Sequence, residues 1–504
     1  MKKIVNCKWL NSKYFCIFAL EIAVIAQLAE RWLPKPKVAG SSPVYRSNQE
    51  DFTMLITTIV IVAIVLFGCI MMSSVQISHI NRAAVAMFCG VSAWVVYMLH
   101  GSDFLELMGY PDYQLIGQAD DYIATNVIVK YINEACQVIL FLIATNTIVE
   151  IMNNNGVFDS LIRWLRTRSS RLFLWELSLL TFVISANVDN LTTVVLMMTI
   201  MDQIVSSRQQ KIIYSCVILI SAILGGSFTV IGDMTSLMLW VHGVVTPSAY
   251  AAGLILPVLV SLCVFNLLVS RMLVGRVEVA SFINRYDGDD SLLRPWQKLL
   301  LLIIGIAGLW AIPTFHNVTK LPPFLGALCV LAMIWLLESA FTFKRNGNRL
   351  FIQHKYIRNT EFIGMRLILY FLGVSLMVGA LVECGALKFV SDLMTTHLHN
   401  VYIYGGVIGI ISSLIDNIPF VMVGLHLFEQ DVPSTASEFV QNGTYWQLLS
   451  FCSALGGSLL YVGTLAGHAV AEVSKISFSW YVRNIFWRVL LAWLVGMGVF
   501  YLTH

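Results

Sequence analysis

Asp189-Asn190 and Asp416-Asn417 each set a carboxyl beside a carboxamide inside strongly apolar sequence, and each follows serine, Ser185 in the first case and Ser412-Ser413 in the second. Each pair is followed by a second matched element, Gly225-Gly226-Ser227 and Gly456-Gly457-Ser458. Ionisable groups at membrane depth are costly and are kept mostly where they act. Backbone carbonyls freed at a break in a membrane helix coordinate a small hard cation such as Na+, provided protein or a watery cavity satisfies them otherwise. A carboxylate at the break adds a full charge that either the cation or a proton neutralises, so one ion exchanges for the other without further chemistry. The duplicated pair in matched order implies one binding site built twice and points to a secondary transporter.

The elements that must position these groups are membrane helices. Hydrophobic residues make up 58% of the chain and mean hydropathy is +0.76. Charged residues are 12%, against about 25% in an ordinary soluble domain. The runs 54–72, 83–99, 254–274, 299–313 and 324–337 suit a bilayer crossing, which takes roughly 20 residues. A net charge of +3 gives no reason to expect a nucleic-acid partner. The 10 cysteines are scattered with no CxxC pair, so neither a disulfide framework nor a zinc site is expected. No nucleotide-binding P-loop, GxSxG or HExxH motif is present, which predicts a non-enzyme without cofactors, driven by ion gradients.

Loop charge sets orientation, because Lys and Arg favour the cytoplasmic side. Segment 101–124 carries Asp103, Glu106, Asp112, Asp120 and Asp121 and reads as external; 157–171, with Arg163, Arg166, Arg168 and Arg171, reads as internal. Segment 344–366 (Lys344, Arg345, Arg349, Lys355, Arg358, Arg366) reads as internal, and 429–445 (Glu429, Asp431, Glu438) as external. An ordinary count of spans between these loops fails by parity. It works if 172–205 and 400–428 are re-entrant hairpins with tips near Asp189 and Asp416, the first opening to the cytoplasm and the second outward. The expectation is an all-α polytopic protein of about 10 spans plus two re-entrant hairpins in inverted repeats. The corresponding divisions are 54–124 (N-terminal scaffold helices), 125–274 (first repeat), 275–343 (linker and scaffold), 344–471 (second repeat) and 472–504 (C-terminal helix).

Each repeat is expected to hold an interrupted span, 211–242 and 446–471, broken at its Gly-Gly pair, since glycine accepts unusual backbone angles. Glu150, Glu383, Asp233 and Thr464 are candidate relay groups. Interfacial snorkelling would equally explain Glu150 and Glu383, and helix capping would explain Asp233 and Thr464. His242 and His468 read as satisfied polar residues. Residues 1–53 form an atypical leader: 15–25 could be a signal-peptide core, but 26–46 resembles the spurious peptide produced when a tRNA gene region is translated, with Met54 as the natural start.

At these motifs the chain resembles the NhaD-type sodium/proton antiporters of the ion transporter superfamily, which also holds arsenite and citrate/dicarboxylate carriers. The matching stretches are Thr147-Ile148-Val149-Glu150, 185–193, SLIDNIP at 413–419, and GGSLLYVGTLAG at 456–467 running on through Lys475 to Ile476-Ser477-Phe478-Ser479-Trp480-Tyr481. The resemblance implies Na+ (or Li+) exchanged for H+ across the cytoplasmic (inner) membrane by a multi-pass protein. It also implies a homodimer with a scaffold part and a moving part. It assigns ion binding to Asp189, Asn190, Asp416 and Asn417, with Gly225, Gly226, Gly456 and Gly457 supplying backbone; Ser185 and Ser413 beside them are further candidate ligands. One alternative is an anion carrier of the same fold, for arsenite or a di- or tricarboxylate, against which no Lys or Arg lies in either tip. The other is an intramembrane aspartyl protease using Asp189 and Asp416 as its dyad.

Overall fold

The computed structural model describes residues 43–74, 80–110, 118–158, 165, 167, 169–273, 275–277, 293–345, 361–397, 400–428 and 438–504. Residues 1–42 of the leader, and with them its signal-like core, lie outside the described residues. So do the loop charges at 112, 163, 166, 168, 349, 355, 358, 429 and 431. Among the described residues the chain is helical, apart from one isolated bridge between Ser169 and Arg276. The helices are α1 (Pro43–Ser73), α2 (Arg82–Met98), α3 (Gly101–Met108), α4 (Ala119–Asn154), α5 (Ser170–Ser185), α6 (Asn190–Ile204), α7 (Arg208–Ser227), α8 (Met234–Val241) and α9 (Pro247–Ser270). They continue as α10 (Pro295–Thr319), α11 (Pro323–Arg345), α12 (Glu361–Glu383), α13 (Ala386–His397), α14 (Val401–Ser412), α15 (Asn417–Leu427), α16 (Thr444–Phe451), α17 (Leu465–Ser474) and α18 (Phe478–Thr503). Proline opens α9, α10 and α11, at the one helical position where its missing N–H costs nothing.

Eight helices among the described residues are each long and apolar enough to cross a membrane. The 17-residue α2 passes together with α3, which leaves it at an 89° bend. That makes eight or nine crossings among the described residues against the expected 10, and the broken element α16–α17 lies where the second interrupted span was expected. The remaining paired helices, α5–α6 and α14–α15, are the expected hairpins.

Side-chain contacts fix the hairpin direction. Along α5 and α7 residue numbers rise together: Tyr214 donates to the Ser170 carbonyl, Ser178 Oγ lies 2.7 Å from Ser221 Oγ, and Ser185 Oγ lies 2.7 Å from the Ala222 carbonyl. The two helices therefore run parallel, and α6, which joins the end of one to the start of the other, must return between them. An ion pair from Lys211 to Asp202 (2.8 Å) closes that return. In the second half Ser412 Oγ donates to the Ser453 carbonyl, while Tyr445 of α16 donates to the Gly424 carbonyl near the end of α15. Each hairpin thus enters and leaves on one side.

The two halves are also inverted. At one end of the molecule Asn442 N donates to the Val244 carbonyl and Gln441 to that of Gly243, so the second broken span begins where the first ends. At the other end Ser215 Oγ meets Ser474 Oγ at 2.7 Å, near the start of the first and the finish of the second. The broken spans run antiparallel. Tyr250 of α9 and Tyr481 of α18 donate to the carbonyls of Ser227 and Ser458, both at 2.7 Å. By that pairing α18 is the counterpart of α9.

Candidate functional site

The sequence reading put the helix breaks at the Gly-Gly pairs, and the structure moves them. Gly225, Gly226 and Ser227 finish α7, and the unwound stretch is 228–233; Gly456 closes a π-helical turn after α16, Gly457 is still helical, and the chain unwinds over 458–464 apart from one 3-10 turn at Tyr461–Gly463. The glycines are there for approach. A Cβ at Gly225 would overlap the Phe182 carbonyl, and one at Gly456 would overlap Gly409, so each pair lets a hairpin arm lie against the span backbone.

In the first half, oxygens converge. A Cβ at Gly226 would overlap Asn190 Oδ1 and stand 2.7 Å from the Gly232 carbonyl; one at Gly232 would stand 2.5 Å from the Ser185 carbonyl and 2.7 Å from Thr229 Oγ1. Ser185 Oγ is 2.8 Å from Asn190 Oδ1 as well as 2.7 Å from the Ala222 carbonyl. A hydroxyl has one proton to give, so one of these acceptors goes without at any moment. Asp189 caps α6, its Oδ2 accepting from Leu191 N (3.1 Å) and Thr192 N (3.4 Å). Asp233 stands at the N-cap position of α8 with no cap bond from its side chain, receives the Thr235 hydroxyl, and lies within electrostatic reach of both Asp189 and Asp416. Asn146 of α4 accepts from Thr192, and Glu150 follows it one turn on, half-buried.

The second half repeats the backbone plan with different partners. A Cβ at Gly457 would meet Ser412 Oγ at 3.0 Å, and one at Gly463 would meet the carbonyls of Ser412 (2.6 Å) and Ser413 (2.9 Å). Ser412, rather than Ser413, therefore stands where Ser185 stands; Ser413 Oγ donates to Ile410 in its own helix. Asp416 begins α15 at 3% exposure, with no cap bond from its side chain. Its Oδ2 instead accepts from Tyr370 of α12 (2.7 Å) and from Arg82 Nη1 at the start of α2 (3.3 Å), and its buried Oδ1 has no hydrogen-bond partner. Asn417 is buried beside it. Arg82 also contacts His468 on α17. His468 Nδ1 lies 3.0 Å from the Thr464 carbonyl, which can only accept. The Arg82 guanidinium, which can only donate, lies against both ring nitrogens, so the imidazole accepts from it. Thr464 itself caps α17, accepting from Gly467 N at 3.0 Å.

Glu383 does not join either tip. It is buried near the end of α12, where Tyr131 (2.6 Å) and Tyr110 (3.0 Å) both donate to one carboxylate oxygen. Asp189 accepts from the amides of its own helix and Asp416 from Arg82 and Tyr370, and no hydrogen bond joins the two carboxyls among the described residues. What the sequence missed is Arg82, whose relevance no local motif marks: it opens a scaffold helix far from either tip in the chain. Its only trace was a lone arginine at the head of an apolar run. Trp310 of α10, which donates to Asn187 beside the first tip, was equally invisible.

Two hairpin tips, each set against a break in a membrane helix and related by inversion, are the architecture of a secondary transporter built from inverted repeats. The chain belongs to the CitMHS citrate transporter family, whose model matches residues 70–440. Within that frame it is similar to sodium/proton antiporters 1 and 2 of Arabidopsis thaliana, 27% identical to each over 429 residues. Those matches cover 84% of this chain and 69% and 94% of the two relatives. It is also 27% identical over 384 residues to the Na+/H+ antiporter NhaD of Vibrio parahaemolyticus, covering 71% of this chain and 87% of that protein. The resemblance drawn from the motifs is thereby borne out.

Proposed function

We propose that this protein exchanges Na+ (or Li+) for H+ across the cytoplasmic membrane, with the cation held at the hairpin tips. The observation that carries this reading is the first tip, where oxygens of Ser185, Asn190, Thr229 and Gly232 crowd around Gly226 and Gly232 with Asp189 and Asp233 beside them. Two acceptors sharing the one Ser185 hydroxyl, next to carboxylates, favour a small hard cation. The names of the relatives support the same ion pair. Na+ arriving there displaces the protons that neutralise the acids, and release of Na+ on the other side lets protons return.

Orientation follows from charge. Arg171 donates to the Leu273 carbonyl and Gln210 to that of Arg276, so Arg171, Arg208, Lys211 and Arg276 gather at the mouth of the first hairpin. That end reads as cytoplasmic. The homodimer rests on the family resemblance alone.

An anion carrier remains the second reading because Arg82 brings to the second tip the cationic group that its own sequence lacks. Asp416 occupies that guanidinium, which is why cation exchange is preferred. The test is a proton-gradient measurement in vesicles on successive addition of Na+, Li+, K+, citrate and arsenite. A response to Na+ or Li+ supports antiport; a response to citrate or arsenite alone reverses the assignment.

A further inference from the structure

Glu134, His242 and His426 form a cluster that the ion path above does not use. Each comes from a different element: Glu134 from α4, His242 from the cap that ends α8, and His426 from the returning arm of the second hairpin. Their ligating atoms lie within 4.8 Å of one another, with His242 Nε2 3.3 Å and His426 Nε2 3.9 Å from the same Glu134 oxygen. The two imidazoles stand nearly perpendicular, at 86°, and the group borders a small cavity shared with Met238, Ser375 and Met422.

Proton accounting gives the cluster its character. His242 Nδ1 is 2.9 Å from the Met238 carbonyl, an acceptor only, so that nitrogen carries the hydrogen. A neutral His242 then turns the lone pair of Nε2 toward a carboxylate oxygen, and two acceptors face each other at contact distance. A cation between them resolves this. A metal-bound histidine commonly donates its other N–H to a backbone carbonyl in just this way. Zinc bonds of about 2.0–2.1 Å in a tetrahedron set ligand atoms about 3.4 Å apart, close to the 3.3 Å already present.

We propose that Glu134, His242 and His426 bind a divalent transition ion, of the Zn2+ class, through two imidazoles and one carboxylate with the fourth position left to water. Because the ligands span α4, the end of the first broken span and the second hairpin, the ion clamps the hairpin arm to the rest of the molecule. The competing account is a simple ion pair between protonated histidine and Glu134.

The test uses the purified full-length chain in detergent, stripped with a chelator and titrated with Co2+. One Co2+ per chain is expected, with visible absorption bands that Zn2+ abolishes. His426→Gln and Glu134→Gln should each weaken binding on the order of 10–100-fold. Absence of Co2+ binding by the intact chain overturns the site, and so does unchanged binding in both variants. Since binding is read without any ion gradient, it is independent of the proposed exchange. In vesicles, micromolar Zn2+ should slow transport by the intact chain and spare His426→Gln; equal sensitivity overturns the clamp.

Discussion

The two hairpin tips share a backbone and differ in charge. At the first, Asp189 turns to the amides of its own helix and has a second acid, Asp233, within reach. At the second, Asp416 makes no cap bond and is held by Arg82 and Tyr370. The first therefore carries negative charge that only a mobile cation or proton can neutralise, while the second contains its own counter-ion. Symmetric sequence has produced an asymmetric pair, and under the proposed exchange the working charge would belong mainly to the first half.

That comparison is broken most directly by Asp189→Asn. The amide still caps a helix start, so folding should survive. Losing a charged ligand worth roughly 3 kcal/mol would weaken Na+ activation on the order of 100-fold. The check is Na+-dependent proton movement in vesicles alongside protein yield. Unimpaired exchange would show that the first tip does not carry the working charge.

The second half should fail differently. Arg82→Gln leaves Asp416 buried at 3% exposure without its ion partner, and breaking a buried pair costs about 3–5 kcal/mol. We expect a fall in thermal stability in detergent. The double variant Arg82→Gln with Asp416→Asn, which removes both charges, should recover most of it. A double variant no more stable than the single one would mean the guanidinium is held chiefly by His468.

The architecture was largely legible because it depends on composition, loop charge and repeated order, all of which survive in one dimension. Asp189-Asn190 and Asp416-Asn417 could be placed at hairpin tips from loop charge and the parity of the spans between the loops. What was not legible came from distance in the chain. Arg82 meets Asp416 only because α2 lies against α12, where a Cβ on Gly90 would stand 2.8 Å from the Gly373 carbonyl. The Gly-Gly pairs read as helix breaks, with close helix packing as the alternative, and close packing is what the structure shows. Glycine serves both unusual backbone angles and close approach, and sequence does not separate the two. The same limit explains Ser412: adjacent serines differ by about 100° around a helix, and only the neighbouring span says which one faces it.

A smaller effect comes from adding one methyl group to each half. Gly226→Ala would drive its Cβ into Asn190 Oδ1, whereas Gly457→Ala meets Ser412 Oγ at 3.0 Å, a hydroxyl able to give by a few tenths of an ångström. Overpacking of this kind costs typically about 1–3 kcal/mol. Gly226→Ala should raise the Na+ concentration for half-maximal exchange far more than Gly457→Ala does. Equal shifts would return the two tips to equal standing.

The smallest effect tests where the symmetry is real. Tyr250 and Tyr481 donate to Ser227 and Ser458 at the same 2.7 Å, each steadying the carbonyl that leads into a break. Removing either hydroxyl leaves a buried carbonyl short of a donor, at about 1 kcal/mol. The Tyr250 hydroxyl also lies 2.5 Å from Ser450 Oγ within α16 of the opposite span, so it ties the first break to that span, a contact Tyr481 does not repeat. Tyr250→Phe should therefore lower the melting temperature slightly more than Tyr481→Phe. Combined with Ser450→Ala, the Tyr250 variant should lose less than the sum of the two single effects, because both substitutions remove one shared bond. Tyr481→Phe with Ser450→Ala should be additive. If the two pairs behave alike, the cross-link between the halves contributes nothing, and the breaks are coupled through Asp233 and its neighbours instead.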